Sequence, residues 1–362
     1  MCDSNKIDIA NLLNPNKFIP IYLERKNVDP LSLPPVAVEF HLTATCNYNC
    51  YHCSYGLRNK KRIFLPEDII EVLVDDLIDM KIKCVYFSGG GEPTTLKNWD
   101  KYMDRLLNSG IDISLITNAA LIKDEHLPLI RRINYIAISI YSTKEDIYKK
   151  ITGGNSFSTY FTLPKRIKAE PHRCIVGARC VINKFNYQDI FDLYLKAMDS
   201  GYDYIIFIPA IDYEKRGVAL TDDQIDFLKN MVEKNLDKID NKKTNLLRLY
   251  KKSFSYYKVD KNYKIGCQAV LLRTNAFVNY DGGVWLCQPL IGQDMYCIGN
   301  LYEKDFRQIW NSDRHIQVIN ELAERFKRGG CDDCRAIAFN ESVISFENSM
   351  NRPFTIVRDY FI

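Results

Sequence analysis

Between residues 36 and 209, short runs rich in Ile, Val and Tyr alternate with longer segments whose apolar positions recur at helical spacing. Strand-type runs lie at 36–41, 84–88, 112–117, 135–140, 175–182 and 204–209, with helical segments between most of them, near 66–80, 99–107, 125–131, 144–151 and 187–200. In the first helix Pro66 occupies the opening turn, and Ile69, Ile70, Leu73, Leu77 and Ile78 recur on one face. Strands that alternate with helices close most simply as a parallel sheet covered by helices, so the fold class is α/β. Six such units are fewer than a closed eight-fold barrel requires.

The rest of the chain has a different texture. Residues 1–35 are polar and carry Pro15, Pro20, Pro30, Pro34 and Pro35, as expected for an N-terminal extension along the surface. The barrel-like core is assigned to 36–212, and a charged helical connector to 213–261. A smaller domain is expected over 262–340, with a tail at 341–362. In that domain, strands at 274–278 and 284–287 flank Asp281, Gly282 and Gly283, which signals a hairpin. A single helix is expected over 305–327.

Twelve cysteines in 362 residues are abnormal for a chain with no basic-then-apolar leader and enough length to build a core without disulfides. Seven fall into two groups with ligand-like spacing. Cys46, Cys50 and Cys53 sit within eight residues, directly after the first strand, where parallel folds place their chemistry. Three thiolates can hold three irons of a 4Fe–4S cube and leave the fourth open, whereas a cluster that only carries electrons normally takes four ligands. The alternatives are a partial zinc site, with His41 or His52 as the further ligand, or three unrelated thiols. Cys267, Cys287, Cys331 and Cys334 form the second group. Four thiolates make a complete cage, and spacing alone does not separate a 4Fe–4S cluster from tetrahedral zinc.

The Cys46/Cys50/Cys53 spacing resembles the signature of the radical S-adenosylmethionine superfamily, with His52 in the position of its aromatic residue. The resemblance implies a partial (β/α)6 TIM-like barrel in which those cysteines bind a 4Fe–4S cluster and S-adenosylmethionine chelates the open iron. It also places cosubstrate contacts at Gly89, Gly90, Gly91 and Glu92 after the second strand, and at Thr117 and Asn118 ending the third. Further contacts fall at Ser139 on the fourth strand and at Lys150 or Arg179 for the carboxylate. Glycine lets a backbone approach a ligand closely. Ala119 stands where the family commonly has glycine, which implies a backbone that avoids positive φ. Arg179 lies inside an apolar strand and so needs a buried acid or a ligand. Cys267, Gly282, Gly283, Cys287, Trp310 and the Cys331/Cys334 pair resemble the auxiliary-cluster extension called SPASM or, in its shorter form, Twitch. No cysteine follows Cys334, so the short form with one auxiliary 4Fe–4S cluster is expected. Cys84, Cys174 and Cys180 read as buried core filler, and Cys297 as filler, a spare ligand or a hydrogen-atom donor.

The implied chemistry is reductive cleavage of S-adenosylmethionine to a 5′-deoxyadenosyl radical, then hydrogen abstraction from an unactivated C–H bond, with the auxiliary cluster assisting oxidation. The protein is therefore expected to be an oxidoreductase or maturase, supplied by a flavodoxin- or ferredoxin-type electron donor. Its substrate would be a small hydroxylated, sugar-like molecule or a peptide to be crosslinked or epimerised. A non-catalytic iron–sulfur or zinc protein is the reading from another class. A net charge of only +4, from 49 basic and 45 acidic side chains, gives no electrostatic case for nucleic acid or an anionic membrane. With no apolar run of bilayer length, a cytoplasmic location is expected.

Overall fold

A computed structural model describes residues 18–29, 32–55, 63–212, 215–255, 266–329, 331 and 334–349. Nine strands occur among them: β1 (Ala37–His41), β2 (Cys84–Phe87), β3 (Asp112–Thr117), β4 (Tyr135–Ser139), β5 (Ile175–Ile182), β6 (Tyr204–Pro209), β7 (Asn275–Asn279), β8 (Gly283–Trp285) and β9 (Cys297–Asn300). The described chain divides into two compact units. One comprises His41–Phe64 and Tyr86–Tyr256; the other draws on Met1–Phe40, Leu65–Val85 and Tyr257–Ile362.

In the first unit β3, β4, β5 and β6 pair in parallel, in chain order. Their residues are buried almost continuously, as in a sheet covered on both faces. The helices Trp99–Asn108, Leu127–Arg132, Glu145–Thr152 and Ile190–Asp199 link the strands. The register sets Thr117, the end of β3, beside Ile138, and Ser139, the end of β4, beside Arg179, three residues before β5 ends. The helix Phe157–Lys168 was not foreseen in the sequence, and it carries Pro164 in its interior. Burial of Tyr160, Leu163 and Ile167 at helical spacing outweighs the backbone bond that Pro164 forfeits. Of the segment expected as a connector, Asp222–Glu233 and Leu246–Lys251 are helical, and 213–214 and 256–261 lie outside the described residues.

The second unit carries the antiparallel strands β7, β8 and β9, with Phe277 opposite Trp285 and Val284 opposite Gly299. β1 begins here: Val36 and Ala37 donate to the Thr274 carbonyl, and Cys84 donates to Val36. Three expectations are corrected. Within the stretch expected as a surface extension, Ile19–Arg25 is a helix that buries Ile19, Ile21, Tyr22 and Arg25, with Pro20 in its first turn where no N–H is missed. The expected single helix at 305–327 is two, Phe306–Trp310 and Asp313–Lys327. Each has its own cap, because Asp305 accepts from the Gln308 N–H and Ser312 from the His315 N–H. The stretch expected as a tail is helical to Ser349, in the helix Ile337–Ser349.

Candidate cluster sites

The three-cysteine loop leaves the end of β1 in the first unit and is held from several sides. Asn49 and Tyr51 donate backbone N–H bonds to Thr152 and Ile151 at the end of the helix Glu145–Thr152 (2.9 and 2.7 Å). The Tyr48 and Tyr148 hydroxyls bond at 2.6 Å, and Arg216 donates to the Cys53 carbonyl. Within the loop the thiols take local N–H bonds, Tyr48 to Cys46 and Tyr55 to Cys53, both at 3.4 Å. Burial pushes the Cys46 thiol up to about 12, and Cys46 and Cys50 both also feel the charge of Cys53. Burial also raises Cys50 well above the usual thiol range, against a hydrogen bond from Tyr141. Such thiols stay protonated at neutral pH unless a cation replaces the proton.

Among the described residues, no group of three or more His, Cys, Asp or Glu side chains is drawn tightly enough to hold a single metal ion. A tetrahedral zinc would bring its sulfurs to about 3.8 Å from one another. A cube holds its ligands further apart, each on a different iron, and three thiolates would leave one of its irons open.

The glycine run after β2 packs against this loop rather than lining open space. A Cβ at Gly91 would lie 2.0 Å from the Thr45 carbonyl oxygen, and one at Gly90, where φ is +84°, 2.7 Å from that of Thr43. At Gly89 the neighbour would be the His41 ring, 3.2 Å away. Only glycine permits that approach of backbone to backbone. Glu92 continues the contact, donating its N–H to Thr45 (2.9 Å). Its carboxylate is buried and accepts from Thr94 N–H (3.2 Å), Thr94 Oγ1 (2.7 Å), Thr117 Oγ1 (2.5 Å) and Asn118 N–H (2.8 Å). It therefore ties the ends of β2 and β3 together. Asn118 then reaches the cysteine loop by donating to Asn47 (2.8 Å). The expectation for Ala119 is overturned: its φ is +61°, and its N–H bonds Thr117 Oγ1 at 2.9 Å, which offsets the left-handed strain.

Two of the expected cosubstrate contacts have unmet polar capacity. His52 packs 4.8 Å from the Tyr141 ring; desolvation, then the Arg216 charge, lowers its pKa to about 4, so the imidazole is neutral. Its buried Nδ1 has no hydrogen-bond partner among the described residues, and neither has the buried Nε of Arg179. Ser139, beside Arg179 in the register, bonds the Tyr141 phenol, which in turn bonds Cys50. Lys150 is exposed, and its ammonium lies 4.2 Å from the centre of the Phe185 ring. Sequence reasoning missed Tyr141, Asn47 and Arg216. Tyr141, two residues beyond Ser139 and on the same side of the extended chain, was the one with a readable signal.

The second unit gathers the other four cysteines. Cys267 precedes the short helix Gln268–Leu271, and Cys287 ends the segment that follows β8. Burial raises the pKa of Cys267, Cys287 and Cys334, and the four thiols act on one another electrostatically. Arg325 donates to Cys331 and lowers the pKa of Cys287. Asn340, fully buried, directs its amide at Cys267 and Cys334. Cys297 stands apart, its thiol donating to the Gly299 carbonyl (3.2 Å).

The model of the radical SAM superfamily matches residues 40–197, and that of SPASM, an iron–sulfur cluster-binding domain, matches 267–335. A probable GTP 3′,8-cyclase of Thermococcus kodakarensis is 32% identical over 127 residues, 34% of this chain, and the match spans only 41% of that protein's length. The tungsten-containing aldehyde ferredoxin oxidoreductase cofactor-modifying protein of Pyrococcus furiosus is 22% identical over 318 residues, 81% of this chain and 85% of its own. Among solved structures, Streptococcus suis SuiB bound to S-adenosylmethionine superposes with a TM-score of 0.61 at 16% identity, covering 89% of this chain and 75% of SuiB. Native anSMEcpe with bound AdoMet gives 0.61 at 18%, covering 87% and 97%. These structural likenesses establish the fold, with the parallel sheet and the antiparallel C-terminal strands as expected. Residues 40–197 thus match the radical S-adenosylmethionine superfamily and residues 267–335 a SPASM domain, and these two domains imply a 4Fe–4S cluster, S-adenosylmethionine and an auxiliary iron–sulfur cluster as cofactors.

Proposed function

We propose that this enzyme abstracts a hydrogen atom from an unactivated C–H bond of a peptide and that the modified residue leaves oxidised or crosslinked. The bound cofactors supply a 5′-deoxyadenosyl radical, by reductive cleavage of S-adenosylmethionine, and a second centre able to exchange an electron. Cys46, Cys50 and Cys53 would hold the first cluster; Cys267, Cys287, Cys331 and Cys334 the auxiliary one. The observation that carries this reading is the difference in number between the two thiol sets, three in one unit and four in the other.

The remaining residues position and enclose. Glu92 braces the ends of β2 and β3 and Asn118 carries that brace to the cysteine loop. Arg179 has a buried donor to offer the S-adenosylmethionine carboxylate, and we assign that contact to it rather than to the exposed Lys150. His52, neutral and packed on Tyr141, offers its ring face to an adenine and a free Nδ1 to a polar edge. Electrons would come from a flavodoxin- or ferredoxin-type donor in the cytoplasm, where thiols stay reduced. Among the described residues no helix is long and apolar enough to cross a membrane.

Support for a peptide substrate comes from the two folds this chain follows over most of its length. SuiB has been seen with its precursor peptide SuiA, and anSMEcpe with a Cp18Cys peptide. The near full-length similarity to a cofactor-modifying protein favours a second reading, a small-molecule substrate. The test is to reconstitute the enzyme anaerobically and supply S-adenosylmethionine, dithionite and peptides encoded beside its gene, deuterated at side-chain carbons. Deuterium in 5′-deoxyadenosine with a changed peptide mass is expected. Cleavage that proceeds with no peptide-derived deuterium refutes the peptide reading.

A further inference from the structure

Asn340 is fully buried on the helix Ile337–Ser349. Its Oδ1 accepts from the backbone N–H groups of Gln268 (2.8 Å) and Ala269 (3.3 Å), the two residues after Cys267. Two backbone donors can be met only by the carbonyl oxygen of the amide, so the orientation of the side chain is fixed by its surroundings. The NH2 group is thereby turned to the Cys267 sulfur at 3.4 Å and the Cys334 sulfur at 4.0 Å.

We infer that Asn340 is a positioning residue of the auxiliary cluster: its amide clamps two of the four ligand sulfurs and biases the cluster toward its reduced form. The inference rests on those four thiols holding an iron–sulfur cluster. One-electron reduction adds negative charge that is shared with the ligand sulfurs. N–H dipoles aimed at those sulfurs stabilise the added charge, most strongly where water is excluded. The same side chain joins the segment after Cys267 to the helix after Cys334, so one amide spans ligands 67 residues apart in the chain.

The experiment uses full-length protein with Cys46, Cys50 and Cys53 all replaced by Ala, reconstituted anaerobically, so that iron and electron paramagnetic resonance report the auxiliary cluster alone. Asn340→Leu removes the donor at similar volume. It should keep about four irons per chain and make reduction about tenfold less favourable, a fall of about 59 mV for a one-electron couple. Asn340→Asp, read in mildly alkaline buffer, keeps an oxygen for the two backbone donors and puts an anion where the donor was. Its potential should fall at least as far, and it decides the matter if the Leu variant does not fold. An unchanged or raised potential in an iron-replete variant overturns the inference. So does loss of iron from both variants with native circular dichroism, which would make Asn340 an assembly residue only. If the parent with native Asn340 binds no iron, the auxiliary-cluster assignment fails and takes the inference with it.

Discussion

Replacing Gly91 by Ala tests whether the glycine run serves the chain's own packing. The new Cβ would sit 2.0 Å from the Thr45 carbonyl oxygen, 2.6 Å from its carbon and 2.8 Å from its nitrogen. A carbon and a carbonyl oxygen tolerate an approach of about 3.3 Å, so the two backbones must part by about 1.3 Å. That oxygen accepts from the Glu92 N–H at 2.9 Å and from Thr95 Oγ1 at 3.1 Å, and the separation breaks both bonds. Two partly buried groups left unpaired cost about 2–5 kcal/mol. Thr45 precedes Cys46, so a ligand moves too, and a displacement near 1 Å in a reacting constellation costs about a hundredfold in rate. Gly91→Ala should therefore lose iron and about a hundredfold of its 5′-deoxyadenosine production with dithionite. Gly89→Ala meets only the edge of the His41 ring at 3.2 Å and should cost less than about 1.5 kcal/mol. Gly90→Ala combines a φ of +84° with a 2.7 Å contact and should fall between them. The assays are iron per chain, the guanidinium unfolding midpoint and 5′-deoxyadenosine yield. Equal damage at Gly89 and Gly91, or a Gly91→Ala enzyme indistinguishable from the parent, would refute the packing argument.

Other substitutions separate the roles of neighbouring residues. Cys50→Ala should abolish reductive cleavage of S-adenosylmethionine, with 5′-deoxyadenosine measured by chromatography; undiminished output would remove it from the cluster. Cys331→Ala should spare that cleavage better than peptide turnover, and equal loss of both would point to a folding role instead. Arg179→Leu should leave the unfolding midpoint in place and weaken S-adenosylmethionine binding about 10- to 100-fold by calorimetry, the value of a lost charge-assisted bond. Destabilisation with unchanged binding would mean that Arg179 is structural. Glu92→Gln leaves one oxygen for donors that now meet two, so at least one of the four bonds is lost, at about 1–3 kcal/mol in denaturant unfolding.

The parallel core was legible because its strands are Ile- and Val-rich runs bounded by polar turns; β3, β5 and β6 begin and end where the sequence places them. Elements were missed where local signals opposed tertiary burial. Pro164 hid a helix held by Tyr160 and Ile167, and the proline-punctuated N-terminal stretch hid one held by Ile19 and Tyr22. Both thiol sets were picked out from spacing, because each has members close together in the chain or within one small domain. The neighbours that complete them could not be. Asn340 lies 73 residues from Cys267, and Arg216 lies 163 from Cys53. Nothing local to an Asn or an Arg announces a partner that far away. Ala119 shows the converse failure: residue type argued against a left-handed backbone, yet one hydroxyl two residues back satisfies its N–H and stabilises that conformation.

The two thiol sets share one problem and differ in how it is met. In each, burial and mutual repulsion keep the sulfurs protonated until a cationic cluster replaces the protons. Around the four-thiol set, donors are already committed to sulfur: the Asn340 amide to Cys267 and Cys334, the Arg325 guanidinium to Cys331. A centre closed in this way by protein ligands and protein donors is suited to exchanging electrons without binding a further molecule. Buried polar atoms without a partner among the described residues occur in both units, at Nδ1 of His52 and Nε of Arg179 in the one with the three-thiol set and at Oδ1 of Asn275 and Nε1 of Trp285 in the other. What separates the two sets is ligand number: four thiols can close one centre with protein ligands alone, whereas three would leave one iron of a cube short of a ligand.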